Sequence, residues 1–179
     1  GTATLADNDY TQLLTGTLTF AADTTTLTQT IIVQTTADTK FEPNETVNVD
    51  LTNPTNATIT DNQGVGTITN DDTAPTITIN DVSVTEGGQL IFTVTLSNQS
   101  YQAVTVDFAT SDGTATLADN DYTQLLTGTL TFAADTTTLT QTIIVQTTAD
   151  TKFEPNETVN VDLSNATNAT INDNQGVGT

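Results

Sequence analysis

Apolar and polar residues alternate along most of this chain, and the alternation predicts short β-strands. The pattern is clearest in GQLIFTVTLS, where Phe92, Val94 and Leu96 fall on one face and threonines fall on the other. A period of two is typical of a strand with one buried and one solvated face. Four further segments repeat the pattern, at residues 103–111, 128–134, 139–148 and 157–163. Helical spacing appears nowhere over a comparable length, so we expect an all-β protein.

Turn motifs separate these strands, namely SDGTA, TEGG, KFEPNE and DNQGVG. Strands at this spacing, roughly seven in about 110 residues, predict an immunoglobulin-like antiparallel β-sandwich. TITI and VSVT, which follow Pro75, are interpreted as two halves of a first strand that is kinked between the sheets. The glycines of GVGT indicate either a bulge in a strand that switches sheets or a loose edge strand.

The chain contains a long internal repeat. Gly1–Leu51 returns letter for letter at Gly113–Leu163, and 64 of 67 positions are identical at an offset of 112 residues. Such a fixed period is typical of a tandem array. With the boundary placed in NDDTAP, residues 1–72 are predicted to be the C-terminal part of one repeat and residues 73–179 a second, nearly complete repeat. We interpret the chain as a window on a longer repetitive protein.

The chain is strongly acidic, with a net charge of −20 and only Lys40 and Lys152 as basic residues. This charge argues against nucleic acid, whose phosphates require Lys and Arg, and against anionic membrane surfaces. High charge is also compatible with disorder, but the alternating apolar pattern opposes it. No apolar stretch is long enough to insert into a membrane. Acidic surfaces also keep secreted proteins soluble, so charge alone does not establish a binding site.

The residue types that are absent narrow the possible functions further. Without Cys or His, disulfides, zinc–thiolate sites, thiol nucleophiles and the commonest general base are all excluded. Paired carboxylates can hydrolyse glycosides, but aromatic residues make up only 5% of the chain, too few to line a sugar cleft. We therefore predict that the protein is not an enzyme.

The acidic residues cluster in turns next to strand ends. They are Glu86 in TEGG, Asp112 in SDGTA, Asp119 and Asp121 in DNDY, and Asp150 in ADTKFEPNE. In a sandwich these loops can meet at one pole, where the carboxylates would repel one another unless a cation joined them. Calcium prefers six to eight such oxygen ligands, which predicts a calcium site. For any single Asp the alternative role is to form the turn itself.

The order of motifs TEGG, DFATSDGTA, DNDYT, GTLTF, IIVQTTAD, FEPNETVNVDL and GVGTITNDD resembles a Calx-β domain, over the whole chain. That family is the calcium-binding sandwich of sodium–calcium exchangers and of many repetitive bacterial surface proteins. The resemblance implies that calcium binds to four ligands in the second repeat, Glu86, Asp112, Asp121 and Asp150. It also implies that Asp71 and Asp72 close the site of the preceding repeat together with Asp9 and Asp38.

The candidate set also includes Asp119, Glu154 and the first-repeat residues Asp7 and Glu42. Asp119 stands where the family more often has a small residue, while Glu154 and Glu157 are either ligands or braces of their loop. The run after the Ile/Val-rich strand, which is strongly acidic in the exchanger-type domains, has one acidic residue here, in Ala149–Thr151. After DY, Leu or Thr stands in place of an acidic residue. These departures from the family pattern favour one or two ions per domain.

The sequence thus predicts a calcium-binding structural or adhesive repeat of an extracellular fibre, stalk or matrix protein at a bacterial cell surface. Calcium would stiffen the junctions between neighbouring repeats, which are the expected partners. Incomplete terminal domains would either be completed by another chain, giving homo-assembly into fibres, or mark where the window was cut. The alternative is a calcium-sensing regulatory domain of a larger membrane protein, against which the near-identity of the copies argues.

Overall fold

A computed structural model describes residues 1–179 and consists of ten β-strands without a helix, which confirms the all-β prediction. The strands are β1 Glu45–Asp50, β2 Gln63–Ile68, β3 Thr76–Ile79, β4 Gln89–Leu96, β5 Val104–Asp112, β6 Gly128–Phe132, β7 Thr140–Gln146, β8 Val159–Thr167, β9 Thr170–Ile171 and β10 Gln175–Gly178. A membrane-spanning helix is absent from the structure.

The chain divides into two compact units. The first comprises Gly1–Asp38 and Pro43–Asn70, and the second comprises Thr39–Glu42 and Asp71–Thr179. The second unit carries eight of the ten strands, β3 to β10, in two four-stranded sheets. One sheet has the order β10-β8-β5-β6 and the other the order β7-β4-β3-β9. All of these pairs are antiparallel except β3 with β9. The second unit is therefore the sandwich that the strand pattern predicts.

The core of the second unit lies between the two sheets. Alternate residues of each strand point into it, as in β4, where Leu90, Phe92, Val94 and Leu96 are buried. The alternation supplies a continuous apolar layer, since the inward side chains of both sheets interdigitate. Its buried members are Ile77, Ile79, Leu90, Phe92, Val94, Leu96, Val104, Val106, Ala115, Tyr122, Phe132, Ile143, Val145, Val159, Val161 and Leu163.

The first strand is divided between the sheets, as the TITI–VSVT interpretation predicts. β3 pairs with β4 in one sheet, whereas Val82 exchanges hydrogen bonds with β10 of the other sheet, at 3.0 Å to Val177 and 3.0 Å from Thr179. β10 is thus held on both of its sides. A Cβ at Gly178 would lie 2.5 Å from Leu90 Cδ1, so a glycine is required where this strand crosses the core. At Gly176–Thr179 this agrees with a strand that joins both sheets, whereas in the first copy Gly64–Thr67 lies in β2, an exposed strand of a two-stranded sheet.

Each repeat can be divided into a front half and a back half. We call Thr76–Asp112, with β3 to β5, the front half, and Gly113–Thr179 the second back half; Gly1–Thr67 is the first back half. The two back halves are the near-identical copies, yet only the second forms a sandwich. In the first, β1 and β2 pair with Val47 opposite Gly66, which matches Val159 opposite Gly178. Residues 17–20 and 28–34 form no strand there, although their copies form most of β6 and all of β7.

This difference follows from strand pairing. In the second unit β6 pairs with β5 and β7 pairs with β4, and both partners belong to the front half. No segment of residues 1–70 corresponds to β4 or β5. A strand needs a partner for its backbone groups and an opposing apolar surface for its side chains. Hairpin β1–β2 has its partner within the first copy, so it forms in both copies.

We predict that replacing phenylalanine with alanine will change the free energy of unfolding very differently at Phe132 and Phe20, although the residues beside them in the sequence are identical. Phe132 is 1% exposed and Phe20 is 50% exposed. Phe132→Ala should lower the free energy of unfolding of the second unit by about 3–5 kcal/mol, because it leaves a cavity in the core. Phe20→Ala should change it by no more than about 0.5 kcal/mol, as surface changes do. Urea unfolding followed by circular dichroism measures both, and equal effects would contradict the difference in burial.

Candidate metal centre

Three loops at one end of the second unit bring acidic residues together. They are the turn before β4, the loop between β5 and β6, and the loop between β7 and β8. Since the strands of each sheet alternate in direction, loops that belong to different sheets can meet at the same end of the sandwich. The convergence of carboxylates here is thus a property of the fold rather than of one local motif.

The turn before β4 carries Glu86 at its tip. The backbone N–H of Gly88 donates to the carbonyl of Thr85 at 3.0 Å, and Gly87 has a φ of +80°, which favours glycine. A Cβ at Gly87 would lie 2.7 Å from the Cβ of Ala149. The glycine therefore allows the turn to approach the β7–β8 loop closely. That approach is fixed by the N–H of Asp150, which donates to Glu86 Oε1 at 2.9 Å.

Asp121 is positioned by a turn in the loop between β5 and β6. Its Oδ2 accepts a hydrogen bond from the N–H of Thr116 at 2.7 Å, and its own N–H donates to the carbonyl of Thr116 at 3.1 Å. Asn120 takes a left-handed φ of 66°, which Asn tolerates well, and closes the turn. The carbonyl of Asp121 then accepts from Thr148 at 2.8 Å, which joins this loop to the end of β7.

The carboxylates form two groups that share one residue. Oxygens of Glu86, Asp150 and Glu154 lie within 4.8 Å of one another, and so do oxygens of Asp121, Glu154 and Glu157. Two oxygens bound to one calcium ion at about 2.3–2.6 Å are at most about 5 Å apart. Both groups therefore satisfy the spacing that a common hard cation requires, and Glu154 contributes to each.

The surroundings of Glu157 in this cluster shift its pKa. Partial removal from water, followed by the charges of Asp121 and Glu154, raises the pKa of Glu157 above its ordinary value. Lys152 opposes this effect. Its ammonium pairs with Glu154, and that hydrogen bond and charge raise the pKa of Lys152. One lysine against five carboxylates leaves a large excess of negative charge, which favours a cation.

An open cavity of about 820 Å³ lies at the same end of the unit. Glu86, Asp121, Glu154 and Glu157 line it together with the ring of Phe153, which is fully exposed. The cavity leaves room for the waters that complete a calcium coordination sphere, since five carboxylates that each give one oxygen supply fewer than the six to eight contacts calcium takes. The donors are all hard oxygens, which suits calcium better than a thiophilic metal.

Two predicted ligands lie outside both groups. Asp112 Oδ1 accepts hydrogen bonds from Tyr122 Oη at 2.7 Å and from the N–H of Leu117 at 3.2 Å. Asp119 Oδ2 accepts from Thr116 Oγ1 at 3.2 Å, in the turn-forming role that a single Asp often has. Glu157, for which the sequence left open the roles of ligand and loop brace, belongs to the second group. Its pairing with Asp121 is visible only in the structure.

The first unit contains the counterpart of the Asp121–Glu157 pair. Carboxylate oxygens of Asp9 and Glu45, the counterparts of Asp121 and Glu157, lie within 4.8 Å of each other. Asp9 is 4% exposed; its Oδ2 accepts from the N–H of Thr4 at 2.5 Å, and its Oδ1 is buried without a hydrogen-bond partner. A buried carboxylate oxygen without a donor is costly unless a cation contacts it. The residues present thus fit a metal ion in this copy also.

The remaining candidates are placed as follows. Asp7 Oδ2 accepts from Thr4 Oγ1 at 2.9 Å, which matches Asp119 in the second copy. Glu42 is paired with Lys40 at 2.9 Å. Asp38 and Asp71 are exposed, and Asp72 is half-buried in the second unit. That these residues bind an ion with Asp9 stays a prediction.

Comparison with known proteins identifies the family. The Calx-beta domain profile matches the chain twice, over residues 1–81 and 69–177. The chain belongs to the Calx-beta family. The expected resemblance is thereby confirmed, and so is the prediction of tandem β-sandwich repeats. No curated protein sequence matches this Calx-beta chain closely enough to count as a relative.

Solved structures show the same fold. The chain is similar to the crystal structure of the apo form of the Calx CBD1 domain, with a TM-score of 0.51 and 18% identity over 59% of this chain and 96% of that one. It is also similar to the crystal structure of CBD12 from CALX1.2, with a TM-score of 0.51 and 20% identity over 58% of this chain and 43% of that one. At such identities the likeness concerns the fold.

We predict that Tyr122→Phe will weaken the unit in a pH-dependent way. Burial, and then the hydrogen bond to Asp112 and its charge, raise the pKa of Tyr122 to about 12. An unperturbed tyrosine ionises near pH 10, so the folded state favours the neutral phenol. The contribution of this preference to the free energy of unfolding is complete below about pH 10 and is lost as the pH rises towards about 12.

At neutral pH the free energy of unfolding of the variant should be lower by about 1 kcal/mol, because the hydrogen bond from Tyr122 to Asp112 is lost. Its stability should then fall less steeply than that of the wild type in the alkaline window. Urea unfolding at several pH values measures the slope, and ultraviolet absorbance should show a late-ionising tyrosine in the wild type alone. Equal slopes would contradict the assigned role of the Tyr122–Asp112 contact.

Proposed function

We propose that this chain is a calcium-binding repeat module. The observation that carries the proposal is the convergence of five carboxylates, Glu86, Asp121, Asp150, Glu154 and Glu157, from three loops onto one end of the second unit. Glu154 belongs to both groups, so it bridges two ion positions or serves one position between them. The Calx-beta family membership supports the same ion, since the resemblance of these loops implies calcium ligands at Glu86, Asp121 and Asp150.

Calcium fits these groups better than magnesium does. Magnesium requires near-ideal octahedral geometry at about 2.0–2.1 Å and retains several waters, whereas calcium accepts irregular sets of oxygens at longer distances. The ligands here come from three different loops and include three long glutamate side chains. With neither His nor Cys in the chain, the donor set offers no nitrogen or sulfur side-chain ligand of the kind that zinc prefers.

A second site of the same kind is proposed in the first copy. It rests on the pair Asp9 and Glu45 and on the buried Oδ1 of Asp9. Asp7, Asp38, Glu42, Asp71 and Asp72 complete the proposed ligand set there, as Asp112 and Asp119 do in the second copy. We take residues 1–72 and 73–179 as the two repeats that carry these sites.

At the level of the whole protein, we propose a structural or adhesive role outside the cell, in a surface fibre, stalk or matrix protein of bacterial type. The near-identity of the copies supports a repetitive architecture, because 64 of 67 residues are the same. Calcium bound in the first copy with Asp71 and Asp72 would neutralise carboxylates at the short linker Asn70–Pro75 and restrict its motion. An enzymatic role is not proposed.

We predict that calcium binds at submicromolar to millimolar concentrations and that Glu154→Gln weakens binding on the order of tenfold or more, because it removes the ligand common to both groups. The matched control is Asp173→Asn, which removes the same charge from an exposed position outside the cluster and should leave affinity nearly unchanged. Isothermal titration measures both variants. Absence of binding at millimolar calcium, or equal losses in the two variants, would overturn the proposal.

We also predict that calcium stiffens the two-repeat chain. Small-angle scattering should give a narrower distribution of maximum dimensions with calcium than with chelator, because bound ions remove repulsion that keeps the loops apart. The Asp9→Asn variant, which removes a carboxylate of the proposed first-copy site, serves as the comparison. If the wild-type curves coincide with and without calcium, the stiffening role is wrong, while calcium binding by the titration would remain established.

A further inference from the structure

The first and last strand segments of the second unit lie side by side and run in the same direction. Val82 forms a parallel bridge with Gly178, and Thr76–Ile77 of β3 pairs in parallel with Thr170–Ile171, which is β9. The other numbered strand pairs of this unit are antiparallel. The start of β3 and Thr179 therefore lie at opposite ends of the paired segments.

Three backbone hydrogen bonds join Val82–Val84 to Val177–Thr179, and we call this set the parallel ladder. The N–H of Val82 donates to the carbonyl of Val177 at 3.0 Å, and the N–H of Thr179 donates to the carbonyl of Val82 at 3.0 Å. The N–H of Val84 donates to the carbonyl of Thr179 at 2.9 Å. Asp81 adds a side-chain contact, since its Oδ1 accepts from the N–H of Val177 at 2.7 Å. Both backbone groups of Val82 and of Thr179 thus take part in the ladder.

The parallel ladder lies directly on the apolar core. Gly176 and Gly178 are buried, and a Cβ at Gly178 would lie 2.5 Å from Cδ1 of Leu90. Leu90 and Phe92 are themselves 2% and 0% exposed. A hydrogen bond in surroundings of low dielectric is stronger than one that competes with water. The core therefore shields one side of the ladder from the water molecules that would otherwise replace its bonds.

The direction of a pulling force decides how such a ladder breaks. A force that draws the start of β3 away from Thr179 acts along the strands, so it loads the three bonds together. A force that separates Thr85 from Thr179 acts across the strands, because these two residues lie at the same end of the ladder. It then breaks the evenly spaced bonds one after another. The parallel arrangement thus resists tension best along the line from β3 to Thr179.

We propose that the parallel ladder is a mechanical clamp, which keeps the second unit folded while tension is applied along the chain. This function goes beyond calcium binding and does not require it, because the ladder contains none of the five carboxylates of the metal centre. It suits the fibre or stalk role proposed above, in which force enters and leaves a repeat through the chain on either side of it.

Single-molecule force spectroscopy with two pairs of attachment points tests the clamp. The full chain contains no Cys, so thiols can be placed at chosen exposed positions. Thr73→Cys with Thr179→Cys loads the ladder along the strands, and Thr85→Cys with Thr179→Cys loads the same bonds across them. With chelator present and at one loading rate, the unfolding force along the strands should be about threefold higher, because three bonds share the load. An equal or lower force along the strands would overturn the proposal.

Proline substitutions then test whether the resistance belongs to the ladder. Val84→Pro removes the N–H that donates to Thr179, and it should lower the force along the strands by about a third, since one of three bonds is lost. Ser83→Pro is the matched control on the same segment, because the N–H of Ser83 makes none of the three bonds. It should leave the force nearly unchanged.

Equal losses in the two proline variants, or no loss in either, would show that the resistance lies elsewhere and would overturn the clamp. Circular dichroism shows whether each variant is folded before it is pulled. If Val84→Pro does not fold, the two pulling directions decide the matter, since both use the unaltered ladder.

Discussion

Pairing between the front and back halves is the interaction on which the whole second unit depends. All three front-half strands occupy inner positions, with β5 between β6 and β8 in one sheet and β4 and β3 between β7 and β9 in the other. These strands are buried along alternate residues and connect segments that are far apart in the sequence. Without them the back half retains its hairpin and turns but has no second apolar layer to pack against.

The acidic cluster depends on the same pairing between the halves. Glu86 belongs to the front half, whereas Asp121, Asp150, Glu154 and Glu157 belong to the second back half. Joining the halves therefore adds the charge of Glu86 to four carboxylates that already lie on one half. A divalent cation would offset the repulsion among them. Folding of the sandwich and binding of such an ion would then be thermodynamically linked, since the complete ligand set exists only in the paired state.

Much of the fold could be predicted from the sequence, because strand patterning is local. The period of two in GQLIFTVTLS places Phe92, Val94 and Leu96 in the core as expected. The limit of this approach is visible in Phe20 and Phe132, which have the same neighbours and opposite environments. Local sequence determines which residues are able to form a strand, while a partner elsewhere in the chain determines whether the strand forms.

The site shows the same limit. Glu86, Asp121, Asp150 and Glu154 are turn residues whose clustering follows from the loops of a sandwich. Asp112 depends on a contact that no spacing indicates, the hydrogen bond from Tyr122 Oη. The role of Glu157 stays open in the sequence for a similar reason, since its proximity to Asp121 is created by packing between loops. The chemistry of a carboxylate can be read from its residue type, but its nearest neighbour is set by tertiary structure.

The near-identity of the back halves has a consequence for biosynthesis. The ribosome produces Gly1–Thr67 before the front half and Gly113–Thr179 after it. A nascent front half thus emerges when one copy of its partner sequence is already outside the ribosome and the other is still unmade. The structure shows the pairing with the later copy, which continues directly from β5 at Asp112 and closes the shorter loop. The order of synthesis favours pairing with the first back half, which is made earlier, whereas loop entropy favours the second, which closes the shorter loop. The order in which the repeats are completed decides between the two.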